Sequence, residues 1–298
     1  MKERLLIQPK PNVVKVELTE GCNLSCKFCA IKSIRDKQKD YKFISIKTAR
    51  LIAEGIADIW EPIRVEFAMH GEPLLNPNII KILRLYREIL PKSSFTLTSN
   101  ATQIANKKIS IYDVLQYVNV LALDDYNTGI VKKIISDLTK KIRIYIYPEI
   151  NIYSKHKSNK HYLVVLNNIG QKNIGQRKLH NTAGNSGKLD FSKINQRCYR
   201  PFRELSFKYN GNAILCCLDW KQKFIIDNIY RNSITNIWQN VNLQSARKVL
   251  YYFGRKFSIC YGCNAFSAKN GLLPDKLGKL AMPIPKIKDI RNLEKFNR

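Results

Sequence analysis

The sequence predicts an α/β fold with a parallel sheet. Short apolar segments of strand length alternate along the first half of the chain with segments whose apolar residues recur every three to four positions, as in amphipathic helices. A loop with three cysteines, Cys22, Cys26 and Cys29, directly follows the first of these strands. Strands that alternate with helices form parallel sheets, whose ligands bind at the C-terminal ends of the strands, so we expect the chemistry there.

Six strands are predicted, and they cover residues 13–18, 63–69, 95–98, 118–123, 142–147 and 162–166. A buried parallel strand is normally apolar throughout, but these strands carry polar residues at alternate positions. We expect this polar face to line an internal binding chamber, although single members could be exposed edge positions. The face comprises Lys15, Glu17, Arg64, Glu66, Thr96, Thr98, Arg143, Tyr145 and Tyr147.

The helices between these strands are predicted from apolar spacing and from their boundary residues, and they cover residues 45–60, 77–90, 109–117 and 130–138. Ser45 is the predicted N-cap of the first helix. Asn76 is the predicted cap of the second helix, with Pro77 in the first turn, where its missing N–H is not needed.

The composition indicates a globular protein with a strongly basic surface. Lys and Arg number 51 against 23 Asp and Glu, a net charge of +28. This charge favours an anionic partner such as nucleic acid, although an A/T-rich genome would also enrich Lys together with Ile and Asn. No apolar run reaches the roughly 18 residues of a membrane span. The N-terminal residues lack the apolar core of a signal peptide, so we expect a cytoplasmic protein.

Eight cysteines could form four disulfides, but they are grouped in short motifs, which favours metal ligation. Structural zinc takes four protein ligands, whereas three cysteines spaced CxxxCxxC can hold a [4Fe-4S] cluster and leave one iron open for a small molecule. We therefore expect an open iron site in the loop after the first strand.

This CxxxCxxC loop, with the aromatic Phe28 before its third cysteine, resembles the signature of the radical S-adenosylmethionine (SAM) superfamily. The resemblance implies that Cys22, Cys26 and Cys29 hold a [4Fe-4S] cluster whose open iron binds SAM. It also implies a partial (β/α)6, TIM-like barrel, in keeping with the predicted alternation.

Gly71, Glu72 and Pro73 after the second strand resemble the GGEP motif of the same superfamily, which binds the amino group of SAM. A glycine allows close approach of the backbone, and a carboxylate suits an ammonium group. His70 replaces the usual first glycine. It could bond the ligand or substrate, or it could be a tolerated variant whose side chain turns aside.

Asn100 and Asp124 follow the third and fourth strands and resemble further SAM-proximal positions of the superfamily. The resemblance implies that Asn100 faces the ribose of SAM and that Asp124 contacts the ribose or the substrate. Each motif alone is weak and could be a turn or a helix cap, but their order after successive strands supports the assignment.

A second set of cysteines, Cys198, Cys216, Cys260 and Cys263, resembles the cluster-binding modules called SPASM and Twitch. Because no cysteine follows Cys263, the shorter Twitch form with one auxiliary [4Fe-4S] cluster fits better. Zinc with four thiolates is the alternative. Cys217 could be a buried thiol or could replace Cys216 as a ligand.

These motifs predict a barrel over residues 1–166, a connecting loop over 167–197, a Twitch-like cluster module over 198–266 and a basic tail over 267–298. The connecting loop is inferred from its Asn, Gly, Lys and Gln content.

The resemblance implies an enzyme that cleaves SAM to a 5′-deoxyadenosyl radical, which takes a hydrogen atom from a substrate C–H bond. The auxiliary cluster would then accept an electron, and flavodoxin or ferredoxin would supply reducing equivalents. A peptide, a nucleotide or nucleic acid, and a small sugar-like molecule are all open as substrates. A cluster-bearing scaffold without turnover is a further alternative, which the intact motifs disfavour.

Overall fold

The computed structural model describes residues 10–26, 29, 40–67, 69–126, 128–139, 143–147, 162–166 and 189–265, with the backbone alone for 143–147 and 162–166. The predicted tail and most of the predicted connecting loop lie outside these ranges.

The strands are numbered in chain order. They are β1 (Val13–Val16), β2 (Thr19–Glu20), β3 (Lys42–Phe43), β4 (Arg64–Phe67), β5 (Ser94–Ser99), β6 (Val120–Asp124), β7 (Arg143–Tyr147), β8 (Tyr162–Leu166), β9 (Glu204–Phe207), β10 (Asn212–Ile214) and β11 (Ile225–Asn228). Nine of them form one sheet in the order β11-β10-β9-β1-β4-β5-β6-β8-β7, while β2 and β3 pair separately.

The sheet is mostly parallel, as predicted. From β9 through β1 to β7 every neighbouring pair is parallel, and only β10 and β11 run antiparallel to their neighbours. The order of the strands in the sheet differs from their order in the chain at one end, because β8 lies between β6 and β7. Strand β9 lies between Cys198 and Cys263, the segment that we call the second cysteine region, yet it pairs directly with β1. The two cysteine regions therefore share one sheet, and the division into 1–166 and 198–266 stays a prediction.

The helices are α1 (Ile46–Ala57), α2 (Ile79–Ile89), α3 (Thr102–Ala105), α4 (Ile111–Leu115), α5 (Ile130–Ser136), α6 (Ile234–Trp238) and α7 (Val241–Tyr252). Ser45 caps α1 as predicted, since its hydroxyl accepts a hydrogen bond from Thr48 N at 3.0 Å. Helix α3 was not predicted, because its four residues are too few to show a periodic pattern.

The predicted start of the second helix is wrong. Helix α2 begins at Ile79, after Asn76 and Pro77. The Asn76 side chain accepts a hydrogen bond from Asn78 N at 2.9 Å and donates one to Leu18 O at 2.8 Å. It therefore holds the loop before α2 against the end of the first predicted strand instead of capping the helix.

The apolar core lies between the sheet and the helices that cover one of its faces. Phe67 on β4 packs edge-on against Tyr86 of α2 and Phe95 of β5, with ring centroids 4.9 and 5.6 Å apart. Trp60 after α1 meets Trp238 of α6 at 6.1 Å. This contact joins the second cysteine region to the barrel helices through buried aromatic surface.

The opposite face of the sheet is polar on β9, β1, β4 and β5, as predicted, whereas the predicted side chains of Arg143, Tyr145 and Tyr147 lie outside the described residues. The strand register places Ser206, Lys15, Glu66 and Thr96 side by side across β9, β1, β4 and β5, and all four are buried. Lys15 Nζ lies 2.9 Å from Glu66 Oε2 and 3.6 Å from Glu204 Oε2. The charges on this face are therefore paired with each other across the strands.

None of the helices in the described ranges has the length and apolar content needed to cross a membrane.

Candidate functional site

The three-cysteine loop follows β2 at the C-terminal end of the first strand region. Cys22, Cys26 and Cys29 are all free thiols and partly exposed, and the N–H of Cys29 donates to Cys26 O at 3.0 Å. Burial raises the pKa of the Cys22 thiol. Phe28 lies outside the described residues, so its contact with the cofactor stays a prediction.

Asn100, at the end of β5, contacts this loop directly. Its Nδ2 donates to Cys22 Sγ at 3.5 Å and to Asn23 Oδ1 at 2.9 Å. Asn23 in turn donates to Thr102 Oγ1 at 2.8 Å. The predicted site residues at the ends of the first and third predicted strands are thus brought together, because both strands run parallel in the same sheet.

Gly71 lies against the backbone that leads into the cysteine loop. A Cβ at this position would overlap Thr19 O and Gly21 O and would lie 3.0 Å from Gly21 N. The next residue, Glu72, donates its N–H to Gly21 O at 2.9 Å. The glycine is therefore needed for close packing of two protein loops, a reason that the sequence alone did not reveal.

The Glu72 carboxylate is buried and accepts three hydrogen bonds within the chain. Leu74 N and Ser99 Oγ donate to Oε1 at 3.0 and 2.7 Å, and Asn100 N donates to Oε2 at 2.7 Å. Within the described ranges no Lys, Arg or His forms an ion pair with it. Burial raises its pKa to about 7. A buried carboxylate without a cationic partner suits a cationic ligand.

Like Glu72, Asp124 at the end of β6 has a carboxyl group with a raised pKa. Burial, with the nearby charge of Glu72, raises its pKa to about 7. Its Oδ2 accepts a hydrogen bond from Tyr126 OH at 3.3 Å, whereas Oδ1 is buried and has no partner among the residues that the structure describes. An unpaired buried acceptor is costly unless a ligand group bonds to it. Tyr126 was not predicted as a site residue; its position two residues beyond Asp124 was the available signal.

His70 turns away from this group and toward the second cysteine region. Its Nε2–H donates to Cys217 O, its Nδ1 accepts from Lys208 Nζ at 3.1 Å, and Glu17 Oε1 lies 2.9 Å from Nδ1. Burial lowers its pKa to about 4, so the imidazole is neutral at physiological pH. Of the two interpretations of His70, the structure favours the one in which the side chain turns aside.

The second set of cysteines surrounds one pocket. Cys198, Cys216, Cys260 and Cys263 line it, although they come from three separate parts of the chain. The other lining residues carry no acidic side chain and comprise Arg200, Pro201, Leu218, Arg255, Ile259 and Ala265. The resulting surface of four thiols among apolar and basic groups suits a group that binds sulfur and carries negative charge.

Cys217 does not line this pocket. Its sulfur lies 3.6 Å from Glu204 Oε2 and 3.5 Å from Arg200 Nη1, within the buried charged groups of the polar face. Leu218 N donates to the sulfur of the neighbouring Cys216 at 3.4 Å. The two adjacent thiols hydrogen-bond with each other, but only Cys216 lines the pocket with the other three thiols.

The donor set fits an iron–sulfur cluster. Four thiols stand around one pocket, which a cluster of several atoms can fill. Burial raises the pKa of Cys198 and Cys260, so these thiols would lose their protons as iron binds.

Comparison with known proteins finds two families whose matched ranges contain the two sets of cysteines. Residues 16–141 match the family model of the radical SAM superfamily, and residues 198–264 match that of an iron-sulfur cluster-binding domain, SPASM. The chain therefore carries a radical SAM domain followed by a SPASM-type cluster-binding domain, as predicted. The predictions of an α/β fold, of an enzyme of this superfamily, and of SAM and two kinds of [4Fe-4S] cluster as its cofactors are confirmed.

A similar protein is the S-adenosyl-L-methionine-dependent 2-deoxy-scyllo-inosamine dehydrogenase of Niallia circulans, 24% identical over 266 residues that cover 87% of this chain and 94% of that protein. The crystal structure of BtrN in complex with AdoMet and 2-DOIA has a TM-score of 0.67 at 20% identity, covering 88% of this chain and 96% of that chain. The structure of anSMEcpe with bound AdoMet has a TM-score of 0.51 at 13% identity, covering 80% and 84%. The structural likenesses show a shared fold.

Proposed function

We propose that this radical SAM enzyme dehydrogenates a small, hydroxyl-bearing cyclic molecule. The reaction would remove a hydrogen atom from the carbon of a secondary alcohol, then one electron and the hydroxyl proton, which leaves a ketone. The observation that carries the proposal is the similarity to a dehydrogenase of this class, which covers 87% of this chain and 94% of that protein. Peptide and nucleic-acid substrates have no comparable support.

The proposed ligands of the first cluster are Cys22, Cys26 and Cys29. When bound, this cluster and SAM supply the 5′-deoxyadenosyl radical that abstracts the hydrogen atom. The chain itself must orient the ligand and keep water away. The loops that carry Cys22 and Gly71 pack backbone to backbone, which holds the cysteine loop in place beside the carboxylate of the Gly71-Glu72-Pro73 motif.

Glu72, Asn100 and Asp124 are proposed to contact SAM or the substrate. Glu72 offers a buried carboxylate whose ionised form a positively charged amino group would stabilise. Asp124 Oδ1 has no hydrogen-bond partner among the described residues, which supports a hydrogen bond from a ligand hydroxyl. Both features support a polar, partly cationic ligand at this end of the sheet.

Cys198, Cys216, Cys260 and Cys263 are proposed to hold the auxiliary cluster. Four protein thiols would leave no iron free for substrate, which supports a role as electron acceptor. Dehydrogenation needs such an acceptor, because the substrate radical must lose one more electron to become a ketone.

The proposed electron donor is an acidic one-electron carrier such as flavodoxin or ferredoxin. The net charge of +28 supports such a partner, since opposite charges accelerate association. We expect reduction by flavodoxin to slow steeply between low and physiological salt; a rate independent of salt would argue against electrostatic docking.

The test is an anaerobic assay of reconstituted full-length protein with SAM, a chemical reductant and 2-deoxy-scyllo-inosamine or a set of related aminocyclitols. We expect about eight irons per chain for two clusters, and 5′-deoxyadenosine in equal amount to a ketone product. A Cys22→Ala protein should form neither product. Deoxyadenosine formation that responds to a peptide or a tRNA, and to none of the cyclitols, would refute the proposed substrate class.

A further inference from the structure

Two arginines line the pocket of four thiols, and their surroundings differ. Arg255 holds the backbone around the last cysteine, since its Nη1 donates to Cys263 O and Ala265 O at 2.7 Å each. Arg200 Nη1 lies 3.4 Å from Glu204 Oε2 and 3.5 Å from Cys217 Sγ.

Arg200 is the end of a buried row of alternating charges that crosses the sheet. Glu204 bridges Arg200 and Lys15, and Glu66 bridges Lys15 and Arg64. Among the described residues, these bridges join three basic and two acidic side chains. The row extends from the polar face of the barrel to the pocket of thiols.

A positive charge that is largely removed from water is stabilised when negative charge lies close to it. Four thiolates around an iron–sulfur core give the whole cluster a net negative charge, which grows by one when the cluster is reduced. A fixed cation at the wall of the pocket therefore stabilises the reduced form more than the oxidised form. Net charge and hydrogen bonds near the sulfurs are among the factors that set the potentials of such clusters.

We propose that Arg200 raises the reduction potential of the auxiliary cluster, so that the cluster can take the electron of the substrate radical. In that step the substrate radical loses one electron, the oxidised cluster gains it, and the hydroxyl proton leaves separately. The significance for catalysis rests on the proposed function, whereas the effect on the potential requires only that a cluster occupies this pocket. Arg200 would thus influence the reaction only through the reduction potential of the cluster.

The experiment is a redox titration followed by electron paramagnetic resonance. The protein is the full chain with Cys22, Cys26 and Cys29 changed to alanine, so that only the auxiliary cluster is loaded, at about four irons per chain. In this background Arg200→Met should shift the midpoint potential to more negative values. Arg200→Lys keeps the positive charge, so its midpoint potential should stay close to that of the parent protein.

Arg231→Met is the matched control. Arg231 also pairs with an acidic residue four positions away in the same region, Asp227, with atoms 3.7 Å apart, but its side chain is 71% exposed. Loss of this screened charge should leave the potential unchanged. Glu204→Gln gives a test of opposite sign, because it removes a negative charge beside Arg200 and should shift the potential to more positive values.

An unchanged potential in both Arg200→Met and Glu204→Gln, at full iron content, would overturn the role of Arg200 and leave the proposed function intact. If Arg200→Met lost the cluster, Glu204→Gln would still decide, since a potential that does not rise contradicts the proposal. A parent protein that loads no iron here would refute both the cluster assignment and the role of Arg200.

Discussion

Gly71→Ala tests the packing that joins the Gly71-Glu72-Pro73 loop to the cysteine loop. The added methyl group would overlap Thr19 O and Gly21 O, which are backbone atoms and cannot rotate away as a side chain could. The two loops would have to separate, and the hydrogen bond from Glu72 N to Gly21 O, now 2.9 Å, would be lost.

The expected cost is about 3 kcal/mol of unfolding free energy. Overpacking of a tight site costs roughly 1–3 kcal/mol, and a lost hydrogen bond in a buried position adds about 1 kcal/mol. The measurement is urea unfolding of the protein without cofactors under anaerobic conditions, followed by fluorescence. Working without cofactors separates this packing effect from any loss of SAM binding.

Gly129→Ala is the control. Its added methyl group would meet nothing within 4 Å, so only the left-handed backbone, at φ 79°, opposes the change. That strain should cost about 1 kcal/mol. If Gly71→Ala unfolded at the same urea concentration as the wild type, the described approach of the two loops would be incorrect.

Two further predictions concern the cysteines and the carboxylates. Cys216→Ala should reduce the iron content from about eight to about four per chain, whereas Cys217→Ala should keep about eight, because only the first thiol lines the pocket; the reverse result would exchange their roles. The pKa of Glu72 rises from 4.5 to about 7 in the folded state, so the folded chain binds the proton more tightly than the unfolded chain. The cofactor-free protein should therefore lose roughly 3 kcal/mol of unfolding free energy as the pH rises from 4.5 to 7. Glu72→Gln should remove this part of the pH dependence of the unfolding free energy, measured by urea unfolding, and leave the part due to Asp124, whose pKa also rises to about 7. If the substitution left the pH dependence unchanged, Glu72 would be ionised in the folded protein.

The sequence was sufficient for features that depend on local spacing. The cysteine spacing in 22–29 and in 260–263, the alternation of strands and helices, and the Ser45 cap all follow from residues close together in the chain. Local geometry determines such features, so the surrounding structure changes them little.

Features that depend on contacts between distant segments were decided by the tertiary structure. Cys216 and Cys217 are neighbours with the same chemistry, and only the packing of β9, β10 and the 258–260 turn shows which thiol meets the other three. Asn76 had the sequence features of a helix cap, but its amide instead binds Leu18 O, 58 positions away.

The same division applies to the site as a whole. The sequence by itself determined which residue types and spacings can hold two iron–sulfur clusters and SAM. The tertiary structure alone decided how the buried charges are distributed, because Lys15, Glu204 and Arg200 meet only when β9 pairs with β1. Electrostatic energies depend on distance and burial, and neither can be obtained from the order of residues along the chain.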